Sequence, residues 1–292
     1  NYWPAGSLFG AAISKLTSIP VMETMAILAP IAGAATVLIF YMLVKRLFNA
    51  EIALVASLFF GTSFTHAFFT AGVTKETFAN PIYLAVLMVF LDPKTSKQKT
   101  ALLAYVMLSA ILAMSHHLTS IIAIAVLTSI TLGSLVTNIR EGHPAAKRNF
   151  IYTGILAATV ALYFALYAYE GFKVSLTSSD ILSAASYQAL AFAAAIYLTS
   201  KPQKTSKTGT LTAFLAATAL ALLSILISTT ITLIPGFTPQ VQRSVLAYIL
   251  PFFIAMPIAA LGYNSLKQNR SSVIAPLFWL TPLIGLQAYS IF

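Results

Sequence analysis

Long apolar runs separated by short polar connections dominate the chain. About ten stand out, at residues 23–45, 52–72, 77–91, 100–115, 117–138, 150–170, 181–199, 209–233, 243–264 and 271–292. Most approach about 20 residues, the length at which a helix crosses roughly 30 Å of hydrocarbon. They lack the alternation of polar and apolar positions that marks the strands of a membrane barrel. The pattern predicts an all-α fold, a polytopic transmembrane helical bundle of about ten spanning helices. Residues 1–22 follow another rule: Phe9, Ile13, Leu16 and Pro20 recur at helical spacing, while Ser14, Lys15 and Ser18 turn elsewhere. That spacing predicts an amphipathic helix lying in the interface. Tyr2 and Trp3 just before it suit the headgroup level. Residues 1–292 are thus expected to form a single transmembrane domain, with 1–22 as an outer-face interfacial helix and 23–292 as spanning helices.

Composition supports this picture. Hydrophobic residues make up 59% of the 292, charged residues only 8%, and the mean hydropathy is +0.86. A water-exposed surface ordinarily has about a quarter to a third of its positions charged. The absence of cysteine excludes disulfides, thiolate metal sites and thiol nucleophiles. A chain opening at Asn1 without a basic flank and short apolar core lacks the features of a signal peptide, and is expected to be a fragment or a processed form. Six prolines, Pro30, Pro81, Pro251, Pro257, Pro276 and Pro282, lie inside expected spans, where each can kink its helix. Ala29 and Gly33, four apart, allow close helix approach.

The net charge of +10 is distributed by topology. Lys45, Arg46, Lys94, Lys97, Lys99, Arg140, Lys147, Arg148, Lys201, Lys204, Lys207, Lys267 and Arg270, 13 of the 17 basic residues, fall in alternate connections. By the positive-inside rule these connections are cytoplasmic. The opposite set holds Lys15, Lys75, Lys173 and Arg243, together with the acids Glu23, Glu76, Glu170 and Asp180. Such placement serves membrane orientation, and no nucleic-acid partner is expected.

The polar residues of the outer face are the candidates for chemistry, because charge at a membrane boundary marks functional sites. No phosphate-cradling glycine loop, zinc-binding helix or nucleophile elbow is present. Lys75 and Glu76 share a short loop between two apolar runs. Lys75 suits an anionic group such as a phosphate, while Glu76 could ligate a divalent cation or orient a substrate. A wet loop whose carboxylate complements the following helix dipole explains the same pair. His116 and His117 would point about 100° apart on a helix, so they do not chelate one metal together; one of them suits a base or a phosphate or sugar contact. The alternative is a pair of interfacial residues capping a hairpin. His66 reads as a hydrogen-bonded packing residue. Arg243 could take a lipid phosphate bidentately, or snorkel to headgroups.

Read together, these pieces resemble a membrane-embedded glycosyltransferase of the GT-C type, the superfamily that includes the protein O-mannosyltransferases of glycosyltransferase family 39. NYWPAG and its amphipathic helix resemble the end of that family's first outer loop. AATVLIFYMLVKRLFNAEIALVASLFFGTSFTHAFFTAG resembles its next helix pair, TKETFANPIYL its short acidic outer loop, and LSAILAMSHHLTSIIAIAVL a later hairpin of archaeal-type members. VQRSVLAYILPFFIAMPIAALG resembles a late helix opening on a basic residue. The family's acidic motif with its catalytic base precedes the place where Asn1 stands, and no Asp occurs before Asp92.

The resemblance implies transfer of a sugar from a polyprenyl-phosphate donor to a protein, glycan or lipid acceptor at the extracytoplasmic face of a cell membrane, with membrane lipid as surroundings; composition points to a prokaryotic, archaeal-type membrane. It implies catalytic roles for Glu76, His116 and His117 and substrate contacts for Tyr2, Lys75 and Arg243. A Mg or Mn ion held partly by Glu76 is a further implied element. From the residues alone, a secondary transporter and a non-catalytic integral-membrane subunit remain alternatives; ionisable groups at span ends, without visibly related halves, favour the enzyme over the transporter.

Overall fold

The structure, a computed structural model, describes residues 2–62, 66–67, 70, 72–92, 99–140 and 147–169. The expected spans from residue 181 onward, and with them Arg243, Lys173, Glu170 and Asp180, lie outside the described residues. The described part is all helical, with no strand in it. Its helices are α1 (Ala5–Thr17), α2 (Val21–Leu47), α3 (Ala50–Thr62), α4 (Lys75–Leu91), α5 (Lys99–Ser115), α6 (His117–Arg140) and α7 (Lys147–Leu166). Each apolar run expected between residues 23 and 170 coincides with a helix or begins with one. Two of them, α2 and α7, are long and apolar enough to cross a membrane by length and composition. The apolar helices α3 and α5, and the Thr119–Leu132 stretch of α6, are shorter.

The described residues between 2 and 43, 66 and 131, and 147 and 169 belong to one compact unit. Within it α4 packs on α5, α5 packs on α7, and α1 touches both α4 and α5. The Tyr105 and Tyr152 rings join α5 to α7 at 4.5 Å between centroids. Thr131 and Thr153 join α6 to α7 through hydroxyls 2.9 Å apart. Phe78, Tyr83, Leu87 and Phe90 are the buried side of α4, and Gly6 of α1 sits against the Phe78 ring. Residues 44–62 belong to a second unit. There Asn49 caps α3 by accepting from the Ile52 N–H at 2.9 Å, and Ile52, Ala56 and Phe60 are buried on one face.

Helix α1 stops at Ser18, which adopts the left-handed conformation with φ 60°. The Ser14 hydroxyl donates to the Ile19 carbonyl at 2.6 Å, and the Thr24 hydroxyl reaches the same oxygen at 3.2 Å. The corner between α1 and α2 is thereby tied from both sides. Along α2, Ala29, Gly33, Thr36, Phe40 and Leu43 form the buried stripe expected of helical spacing, while Ile27, Ile31, Leu38 and Met42 remain more than half exposed on the other faces.

Gly33 is a point of close approach on α2. A Cβ there would stand 2.6 Å from Thr70 Cβ and 2.8 Å from its Cγ2. Threonine is stiff at χ1 and cannot swing clear. The imidazole of His66, one turn before Thr70, is buried and hydrogen-bonded to the Gly33 backbone, which accounts for it as a packing residue. Gly33→Ala is therefore expected to destabilise the fold by about 1–3 kcal/mol through overpacking. Thermal unfolding in detergent measures this, and an unchanged midpoint would show that the contact is loose.

Candidate functional site

Three stretches far apart in sequence meet in the first unit: residues 2–4 ahead of α1, the loop and first turn at 72–77, and the α5–α6 junction at 115–120. Each is shaped by local hydrogen bonding. Thr74 caps α4 in an extended conformation, and its side chain accepts from the Thr77 N–H at 3.3 Å. The Thr77 hydroxyl lies 2.9 Å from that of Thr74 and donates to the Gly72 carbonyl at 3.2 Å. The loop is closed upon itself, and Lys75 and Glu76 are carried in the first turn of α4.

At the other junction His116 alone separates α5 from α6. Its N–H donates to the Leu112 carbonyl at 3.3 Å and its carbonyl accepts from the Ser120 N–H at 3.1 Å. The Ser120 hydroxyl sits 3.0 Å from the Leu112 carbonyl oxygen and 2.8 Å from that of His116. Eight residues along an unbroken helix span about 12 Å. A side chain at 120 could not reach residue 112 without a sharp bend, so the chain turns at His116. The histidine pair thus stands at the connection between the runs at 100–115 and 117–138, as the sequence placed it, with a turn residue followed by a first-turn residue.

The bend brings His116 Nε2 to 3.1 Å from Glu76 Oε1. His116 Nδ1 lies 2.9 Å from Thr119 Oγ1. His116 and Thr119 are both buried, whereas about a quarter of the Glu76 side chain is exposed. The hydrogen bond from His116 is the largest cause holding the Glu76 carboxyl down, from 4.5 to about 2; contacts with the Thr74 side chain and its own backbone act in the same direction, and partial burial opposes them. Glu76 stands before the expected span at 77–91, and it is ionised throughout the neutral range.

Around this pair lies an aromatic and cationic shell. The His117 ring is 4.8 Å from that of His116, edge-on, and 4.6 Å from the ring of Trp3. Lys75 Nζ stands 5.2 Å above the Trp3 ring in cation–π geometry. Tyr2 packs edge-on to Trp3 at 6.1 Å, and its carbonyl accepts from the Tyr163 hydroxyl at 2.7 Å, tying the N-terminal segment to α7. Lys75 is exposed; Trp3 is buried.

Five residues expected to act together, Tyr2, Lys75, Glu76, His116 and His117, are thus linked by contacts that run through Trp3. The sequence had offered Trp3 only as a headgroup anchor and had not singled out Thr119. Trp3 is too buried for a purely interfacial role, and spacing alone could not show its contact with His117. Thr119 was detectable only as a hydroxyl three residues after a histidine.

Chemically the site pairs an ionised carboxylate with an imidazole and places an ammonium group beside them. Its carboxylate is a weak base at neutral pH, so the arrangement suits holding charge and orientation better than abstracting a proton. Among the described residues no group of three or more His, Cys, Asp or Glu gathers. One carboxylate and one imidazole fall short of the near-octahedral oxygen set that Mg prefers. No protein-family model matches the chain, and no characterised protein sequence matches it.

Proposed function

We propose that the chain is a multi-pass membrane glycosyltransferase of the GT-C kind, moving a sugar from a polyprenyl-phosphate donor to an acceptor hydroxyl at the extracytoplasmic face of a cell membrane. The observation that carries this reading is the convergence of Lys75, Glu76, His116, His117 and Trp3, contributed by three remote stretches, at one end of an apolar helical unit. A structural role alone does not call for a part-buried carboxylate on a buried imidazole beside an exposed ammonium group.

The membrane part of the proposal is a bundle of about ten spans whose basic connections are cytoplasmic. It is supported by α2 and α7, and by the large apolar side chains left exposed along them, Ile27, Ile31, Leu38, Phe150, Ile151, Leu162 and Leu166. Leu8, Phe9 and Leu16 are exposed on α1, which supports its place in the interface.

In the transfer, the bond between the sugar C1 and the donor phosphate oxygen breaks, and a bond from C1 to the acceptor oxygen forms. The phosphate leaves with the electron pair, and the acceptor proton passes to a general base other than Glu76. Lys75 offsets the charge that develops on the departing phosphate. Glu76, oriented by His116, presents a fixed carboxylate beside the donor, and Lys75 is steadied over the Trp3 ring. A Mg or Mn ion would enter only with the donor's own phosphate oxygens, with Glu76 as the carboxylate that the chain contributes.

The test is transfer from radiolabelled polyprenyl-phosphate sugar in vesicles containing the chain. Lys75→Ala is expected to raise KM for the donor roughly 10-fold or more, the loss of one charge-assisted contact. Substrate uptake without transfer would establish a transporter instead, and neither activity would indicate a non-catalytic subunit.

A further inference from the structure

Several hydroxyls in these helices share a habit that Thr119 does not follow. Those of Thr36, Thr62, Ser115 and Thr159 each donate back to the carbonyl four residues earlier, at 2.7–2.8 Å. Thr119 turns its hydroxyl instead to His116 Nδ1, 2.9 Å away, at a position only 5% exposed. On the opposite edge of the same ring, Nε2 faces Glu76 Oε1 at 3.1 Å. A carboxylate only accepts hydrogen bonds, so Nε2 carries the hydrogen directed at it. In the neutral ring Nδ1 is then an acceptor, and the rotatable Thr119 hydroxyl is the donor that satisfies it.

We propose that Thr119 is a positioning residue of the site: its hydroxyl satisfies the Nδ1 acceptor of the tautomer that the Glu76 carboxylate imposes on His116, holds the ring orientation, and through that ring fixes the direction in which the carboxylate is presented. The line Thr119–His116–Glu76 holds a side chain that would otherwise rotate about its own bonds at the start of α4. Its role in turnover rests on the transferase reading above, whereas the tautomer does not. A carboxylate and a hydroxyl on the two edges of one imidazole leave the ring no alternative pose that satisfies both nitrogens.

The test uses two readouts on the full chain in liposomes. With histidine labelled by 15N, the His116 signals, assigned by difference against His116→Asn, are expected to show a protonated Nε2 and an unprotonated Nδ1. Thr119→Val, which keeps the shape and removes the hydroxyl, is expected to shift the Nδ1 signal as its hydrogen bond is lost, and Thr119→Ser to restore it. In the transfer assay Thr119→Val is expected to lower kcat roughly 10-fold with KM for the donor within about twofold, the usual scale for a residue that orients another. An unchanged 15N spectrum in folded Thr119→Val would overturn the positioning role. The expected 15N behaviour in a chain that transfers no sugar would leave that role standing and overturn the transferase reading.

Discussion

Glu76→Gln is expected to lower sugar transfer by roughly 10- to 100-fold while the protein still folds, the scale for a group that orients a site or supports a bound cation. The amide oxygen of glutamine can still accept from His116 Nε2, so the ring keeps its partner and the α5–α6 bend keeps its geometry. Only the charge is lost. Glu76→Ala removes the charge and also leaves a buried imidazole donor without its acceptor, which adds about 1–3 kcal/mol of destabilisation. The pair of variants separates the two contributions: a fully active Glu76→Gln would remove the carboxylate charge from the mechanism. The same carboxylate gives a pH signature. Its value in the folded chain is depressed, from 4.5 to about 2, with the His116 hydrogen bond as the main cause. The stabilisation it contributes is complete above pH 4.5 and is lost as the pH falls through the window between these values. Acid unfolding of Glu76→Gln should therefore be flatter across that window than that of the parent chain.

Much of the helical layout was legible because apolar runs and basic connections obey a coarse rule, set by hydrocarbon thickness and membrane charge. The runs at 23–45, 77–91, 100–115 and 117–138 correspond to α2, α4, α5 and α6 with ends displaced by a few residues. The candidate site was legible in part for the same reason: alternation of the connections assigns Lys75, Glu76, His116 and His117 to one face before any contact is known. How these residues interact was not legible. Spacing puts His116 at the break between two runs, but it does not show that the Ser120 hydroxyl ties the chain back to Leu112 or that His116 meets Glu76 of α4. Trp3 was assigned by its residue type to the interface, and only packing against His117 and under Lys75 shows its place in the cluster. Arg148 was counted as one more cytoplasmic charge, an average property that says nothing of its partners.

Those partners make Arg148→Met the substitution with the largest expected effect on stability away from the site. Arg148, at the start of α7, donates to the Asp92 carbonyl at 2.6 Å and to the Phe90 carbonyl at 2.8 Å, and its guanidinium is steadied by the Asn149 side-chain oxygen at 3.3 Å. The last carbonyls of a helix have no partner within it and sit at the negative end of its dipole. A forked cation meets both needs, and methionine keeps much of the stem while meeting neither. Hydrogen bonds to a charged group contribute about 1.5–3 kcal/mol each, and because Arg148 is half-buried the two together are discounted to roughly 2–4 kcal/mol. Arg148→Lys is expected to recover only part of this, since an ammonium does not span two carbonyls in a fixed fork. Glu76 occupies the opposite end of the 17-residue α4, about 24 Å away along the axis. Folded Arg148→Met should accordingly keep the kcat and KM of the parent chain while its thermal midpoint falls. A drop in kcat with an unchanged midpoint would mean that the C-terminal end of α4 is coupled to the carboxylate at its start, and that the clamp serves the site instead of the fold.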